Sequence, residues 1–430
     1  MKKRSNSLRT SVSTAVICIA AISPALGQER GGLTQEFSLR QGFEATRNPT
    51  LTADDSDVRY LLKTDLSATL HSVSRQSTFS LTAAGRLNYP FGDVDSANKE
   101  FSLDRKNAVL RYAHIAPRAE LSAYAQYLTD DISYLNAAEL VADEDGVIVV
   151  PEDLASLQGT GTRENISYRL TAQFDQDQAF GWGVTLSGNE LKYSNVSSSG
   201  LEDSSNWTSA LNAHFDLTPT LRLDSQLSYA HRKSDSTAAA ATTNFGLSLT
   251  AIQSDALSLR GSLAYADPEN TSERYSLSAG LAISPTKTSQ LSLDVGATFS
   301  DDFDTQLTGR LSYDARLTST AQLGLSLNSS VTDTSDNDVV VTTAAVAGFD
   351  LALSPLSSLS LAGVYADENS LLTDDDTESF SASVQLNHQL DKNWQLSLGL
   401  SSTTRSETGS DRATSEAVYF NIGRSWQGRL

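Results

Sequence analysis

The stretch Leu291-Ser-Leu-Asp-Val-Gly-Ala-Thr-Phe-Ser300 decides the fold. Leu291, Leu293, Val295, Ala297 and Phe299 alternate with Ser292, Asp294, Gly296, Thr298 and Ser300. Successive residues of a strand point to opposite faces, so this segment has one apolar and one wet side. Phe380, Ala382, Val384 and Leu386 stand in the same way against Ser381, Ser383, Gln385 and Asn387. Tyr275, Leu277, Ala279, Leu281 and Ile283 oppose Arg274, Ser276, Ser278 and Gly280. From Leu33 to Trp426 such runs recur, each roughly 9–14 residues long.

An apolar strand face can meet a protein core or lipid. Length favours lipid, because a tilted strand needs about 9–11 residues to cross a bilayer, against about 5–6 for strands of soluble proteins. Connections add to this. Tight turns such as Ser74-Arg-Gln-Ser77, Thr218-Pro-Thr220, Ser284-Pro-Thr286 and Asp391-Lys-Asn393 alternate with acidic loops such as Thr52–Asp57, Asp93–Asn98, residues 136–160 and Asp333–Asp338. Short turns on one side and longer loops on the other are the pattern of outer-membrane barrels. The expectation is an all-β, antiparallel, up-and-down transmembrane barrel of about 20 strands, in the range 18–22. Merging Thr237–Gln253 with Leu257–Ala266 would give the lower figure. Lipid also requires every backbone N–H and C=O to be satisfied internally, so strands that cross it must close on themselves.

A hairpin-scale repeat runs through the chain: Leu221, Leu257, Leu291, Leu323, Leu359 and Trp394 each open a strand just after a turn. Tyr229, Tyr265 and Tyr365 sit near the loop ends of these strands, where an aromatic girdle would lie at headgroup level. Ordinary cross-strand packing is the alternative role for these rings. Trp394 and Trp426 are expected near the opposite rim.

The N-terminus has the three parts of an export signal. Lys2, Lys3, Arg4 and Arg9 precede the apolar core Val16–Ile22, and Ala25-Leu-Gly27 offers small residues before Gln28. That core is well short of the roughly 20 residues of a membrane-spanning helix. The expected organisation is a signal peptide over 1–27 and one outer-membrane barrel over 28–430. Cys18 is the only cysteine, Met1 is the only methionine, and both fall in the signal. A mature chain without cysteine excludes disulfide frameworks, zinc–thiolate sites and thiol catalysis.

Four of the 32 basic residues lie in the signal, leaving 28 against 52 acidic ones and a net charge near −24. Nucleic acid is excluded as a partner, since binding it needs a basic surface. His71, His114, His214, His231 and His388 are scattered without metal-ligand spacing, and no nucleophile elbow or phosphate-binding glycine loop is present. The sequence therefore predicts neither an enzyme nor a bound cofactor or metal.

Two groups of residues are candidates for shaping a lumen. By alternation, Arg86, Arg169, Arg222, Arg260, Arg274 and Arg310 share a face with Ser, Thr, Gln or Asp, so they are expected inward. Outward Lys or Arg near mid-strand would cost about 2–4 kcal/mol each. The longest connection carries Asp143, Glu144, Asp145, Glu152 and Asp153, which could narrow the pore against the inward arginines or remain a solvated surface loop. Asp374-Asp-Asp376 and Asp143-Glu-Asp145 have oxygen ligands suited to divalent cations, but no spaced calcium loop; solvated charge is the simpler reading.

The end of the chain, Ala417-Val-Tyr-Phe-Asn-Ile-Gly-Arg-Ser-Trp-Gln-Gly-Arg-Leu430, resembles the closing strand of outer-membrane barrels. Within it, Phe420-Asn-Ile-Gly-Arg-Ser-Trp426 resembles the endings of a β-barrel porin family, some of whose members are linked to exopolysaccharide systems. Gly31–Glu44 is similar to the first strand of that family. Four residues follow Trp426 and the chain ends in Leu430, which departs from the common terminal aromatic, and Arg424 shares a face with Trp426. The resemblance implies a pore, reading of the last strand by the barrel assembly machinery, and surroundings of outer-membrane lipid and lipopolysaccharide. The expected cargo is small polar solutes or ions, diffusing passively. The alternative is a conduit or accessory for polysaccharide secretion, and a soluble or surface-displayed adhesin is a third reading that the turn–loop alternation disfavours.

Overall fold

The computed structural model describes residues 32–49, 51, 57–91, 102–132, 160–196, 201–235, 238–333, 339–372 and 376–429. Residues 1–27, expected to form a signal peptide, lie outside the described residues. Twenty strands of 11 to 17 residues follow one another: β1 Leu33–Arg47, β2 Val58–Val73, β3 Ser77–Phe91, β4 Ser102–Ala116, β5 Ala119–Asp131, β6 Thr162–Phe174, β7 Phe180–Ser194, β8 Ser204–Thr218, β9 Leu221–Ser234, β10 Ala240–Ser254, β11 Leu257–Pro268, β12 Arg274–Thr286, β13 Ser289–Ser300, β14 Gln306–Arg316, β15 Ala321–Asp333, β16 Val339–Ser354, β17 Ser357–Ser370, β18 Asp376–Gln389, β19 Trp394–Glu407 and β20 Ala413–Arg429. Each pairs antiparallel with the next, and β1 pairs with β20 from Thr34–Arg429 to Arg47–Glu416. The sheet is a closed barrel with no edge strand.

Thr237–Gln253 and Leu257–Ala266 do not merge; they fall within and around two separate strands, β10 and β11. Connections at the end holding both chain termini run two to five residues, whereas those at the other end run five to thirty. One turn sits later than the sequence suggests. Ser284 and Pro285 continue β12, and the reversal falls at Lys287-Thr288. Pro285 lies in a register irregularity between Ile283 and Thr286, a place where its missing N–H leaves no ladder bond unmade.

Following ladder partners strand by strand once around the wall returns to β1 displaced by about 24 residues. With twenty strands this stagger corresponds to a tilt of about 40° and a backbone diameter of about 38 Å.

Cross-strand partners share a face, so the register sorts every wall residue. One face gathers Phe37, Leu66, Leu170, Leu211, Leu263, Leu277, Val295, Leu361 and Leu400, all exposed, in a belt that runs right around the barrel. A patch of this extent is far beyond what a protein surface holds in water; it matches the hydrocarbon. The belt is edged with rings. At the long-loop end Phe43, Tyr60 and Phe91 pack together, Trp207 meets Tyr229 at 5.4 Å, and Tyr265 meets Tyr275 at 5.1 Å. At the short-turn end Phe174 stacks on Trp182 at 4.4 Å and Phe180 meets Phe215 at 4.9 Å. The rings thus occupy the girdle position and pack across strands as well.

Candidate functional site

The opposite face, directed into the barrel, is the candidate site. Ser, Thr, Asn, Gln and Gly with interspersed charges predominate on it, and Leu61, Val109, Leu128, Leu191, Val346 and Val364 share it. The residues Ser187, Asn206, Gln226, Ser248, Ser262, Ser278, Thr298, Ser326, Ser381, Ser397 and Asn421 all belong to it. Neighbouring hydroxyls bridge strands, as in Ser276–Thr298 at 2.9 Å, Ser38–Ser67 at 2.7 Å and Ser381–Thr403 at 3.0 Å. Among the described residues, each belongs to the wall or to a connection between neighbouring strands, and none forms a separate element inside the barrel.

All six candidate arginines lie on this inner face, but in different environments. Arg86 donates from Nε to Asp65 at 2.7 Å, and Arg222 donates from Nε to Asp224 at 2.9 Å. Arg274 is buried and grips Asp333 through both terminal nitrogens. Among the described residues Arg310 makes one long bond, from Nε to Asn328 at 3.4 Å. Arg169 and Arg260 are exposed and make no hydrogen bond or ion pair among the described residues. Arg40, which sequence reasoning did not single out, is in the same state on β1. The lumen thus carries paired charges interrupted by isolated guanidinium groups.

Asp143, Glu144, Asp145, Glu152 and Asp153 lie outside the described residues, as do Asp374 and Asp375. The described residues contain no group of three His, Cys, Asp or Glu able to hold a metal. The histidines stay apart: His214 is buried with a ring nitrogen 3.0 Å from the Gln178 carbonyl, whereas His388 bonds the Ser357 hydroxyl at 2.9 Å.

Several wall features depend on interstrand register and could not be read from one strand at a time. The Tyr419 ring lies flat across Gly399, where a Cβ would fall 2.1 Å from the ring, and its hydroxyl donates to Gln385 at 3.0 Å. Asp294 leans over Gly280 in the same way. Glycine on the inner wall lets long side chains lie along it instead of projecting. Lys63 and Glu44 form a nearly buried pair at 2.6 Å, its members facing across β1 and β2. A recess of about 320 Å³ opens in the inner wall between β6 and β11, lined by Gln173, Asn212, His214, Arg222, Asp224 and Gln226 among others.

The turns are fastened by their own polar side chains. The Asp391 carboxylate accepts the N–H groups of Asn393 at 2.7 Å and Trp394 at 2.9 Å, which holds its pKa below the usual carboxylate value. Arg118 bonds Asp175 at 2.5 Å between two neighbouring turns, and that hydrogen bond raises the guanidinium pKa further.

No protein-family model matches the chain, and no curated protein matches it. Solved structures do. A mutant of the ferric enterobactin receptor PfeA from Pseudomonas aeruginosa is similar over 93% of this chain and 81% of its own, with 10% identity and a TM-score of 0.54. The siderophore receptor PirA from Acinetobacter baumannii is similar over 91% of this chain and 80% of its own, with 8% identity and a TM-score of 0.50. At such identities the likeness is one of fold: these are outer-membrane barrels, and so is this chain. Closure and a lipid-facing belt place the protein in the bacterial outer membrane.

Proposed function

We propose that the protein is a water-filled outer-membrane channel through which small polar solutes and ions diffuse passively. The observation that carries this reading is the inner wall: Ser, Thr, Asn, Gln and charged side chains predominate on it, on a backbone about 38 Å across. Barrels of 16–18 strands already enclose aqueous channels, whereas wider transporter barrels hold a plug. Inward side chains lying flat over Gly399 and Gly280 keep the wall low. The reading assigns no catalytic step and no cofactor.

The solved structures with the same fold are named as receptors for siderophores, and a receptor would take its ligand into a closed lumen. Liposome swelling with neutral sugars of graded size separates the two. Swelling rates that fall smoothly with solute size support an open channel. Liposomes that hold correctly folded barrel and do not swell with any sugar contradict it.

A second reading, a conduit for an acidic polysaccharide, draws on Arg40, Arg169 and Arg260, which face the lumen and have no ion-pair partner among the described residues. It predicts that acidic oligosaccharides block sugar-driven swelling while neutral ones of equal length do not.

A further inference from the structure

Arg424 lies on the outer face. It stands in β20 opposite Trp394 of β19 and Leu39 of β1, on the same side as the lipid belt. An outward arginine at mid-bilayer costs about 2–4 kcal/mol, falling to about 0–1 near the interface. Its height fits the second case, because Trp394 is the first residue of β19, immediately after the short turn that holds Asp391 and Lys392.

The guanidinium is held between two rings. Its carbon lies 5.3 Å from the Trp394 centroid and 4.9 Å from that of Trp426. Nε is buried with no hydrogen-bond partner, and among the described residues the group makes no ion pair. Asp391 is near enough to feel its charge, but its Oδ1 accepts the N–H groups of Asn393 and Trp394 and it makes no ion pair with Arg424 among the described residues. The result is a planar cation, oriented by aromatic faces, with hydrogen-bond donors unused at the level of the lipid headgroups. Phe37, opposite Trp426, and Leu39 extend the site with exposed apolar surface on which acyl chains can lie.

We propose that Trp394, Arg424 and Trp426 form a binding seat for the phosphate of a lipid headgroup in the leaflet at the short-turn end. A guanidinium presents its donors in a fixed fork that matches phosphate oxygens, and the rings restrict it to that presentation. Acyl chains on Phe37 and Leu39 distinguish a lipid from free phosphate.

The test is native mass spectrometry of the full protein extracted in detergent, with dioleoylphosphatidylglycerol as probe and dioleoylglycerol, which lacks the phosphate, as control. Arg424→Gln is expected to weaken phosphatidylglycerol retention about tenfold while leaving heat-modifiable mobility unchanged. Dioleoylglycerol should bind weakly to both proteins. Equal retention of phosphatidylglycerol by the two proteins overturns the proposal, as does equal retention of dioleoylglycerol and phosphatidylglycerol. Displacement of the lipid by inorganic phosphate at equal concentration reassigns the seat to free phosphate and also overturns it. Trp394→Leu, which keeps the charge and removes one ring, should reduce retention severalfold; it supplies the same test if Arg424→Gln does not fold.

Discussion

Phe37 of the first strand stands directly opposite Trp426 of the last. Their strands share fourteen paired positions, so the barrel is closed by the two ends of the described chain. That seam depends on both strands being present and in register, and it is the strand pairing of greatest sequence separation among the described residues.

The seam can be locked. Ser38 and Ser425 are partners on the inner face, and paired Cα atoms in an antiparallel ladder lie within disulfide range, about 4.5–5.5 Å. Converting both to Cys in a protein of residues 28–430, which hold no cysteine, should give an intramolecular disulfide on mild oxidation. It would be seen as a reduction-sensitive shift in the mobility of the unfolded protein. Failure to crosslink in folded barrel would contradict this register.

The two faces should respond oppositely to the same substitution. Val295 points into the lipid belt near the middle of β13, so Val295→Arg should destabilise the barrel by about 2–4 kcal/mol. Ser326 points into the lumen, so Ser326→Arg should fold normally and alter conduction instead. Urea-dependent folding into lipid vesicles measures the first effect, and reversal potential measures the second.

Gly399 should matter for pore size more than for stability. A Cβ there meets the Tyr419 ring at 2.1 Å, so Gly399→Val should tip the ring off the wall and release its hydroxyl from Gln385. Single-channel conductance is expected to fall, and the double variant Gly399→Val/Tyr419→Ala should restore it.

The turn before β19 should loosen in acid. Asp391 has a lowered pKa, caused first by the Asn393 N–H and then by that of Trp394. A depressed carboxylate pKa contributes stability above the group's ordinary value of 3.8, and that contribution is lost as pH falls through the lowered folded value. The difference in thermal midpoint between the wild type and Asp391→Ala should be present at neutral pH and vanish toward pH 2. A difference that persists there would show that the carboxylate charge is not what fastens the turn.

Much of this architecture is legible in the sequence because the physics acts at period two. Alternation within single strands is enough to place Arg86, Arg169, Arg222, Arg260, Arg274 and Arg310 on one face, and the turn–loop rhythm gives the strand number. What alternation cannot supply is register. The Tyr419 ring over Gly399, the Lys63–Glu44 pair and the grip of Arg274 on Asp333 each join residues from different strands, and their proximity follows only once the stagger around the barrel is known. The Pro285 irregularity shows the same limit locally: a Ser-Pro-Thr stretch resembles a turn, yet the chain stays extended through it. The acidic residues from Asp143 to Asp153 fall outside the described residues.

Single-channel conductance across a planar bilayer, with residues 28–430 refolded and a salt gradient applied, tests the central claim most directly. An open polar lumen predicts stepwise conductance increments that scale with bulk electrolyte conductivity. A heat-modifiable, correctly folded barrel that inserts and conducts nothing would contradict an open channel.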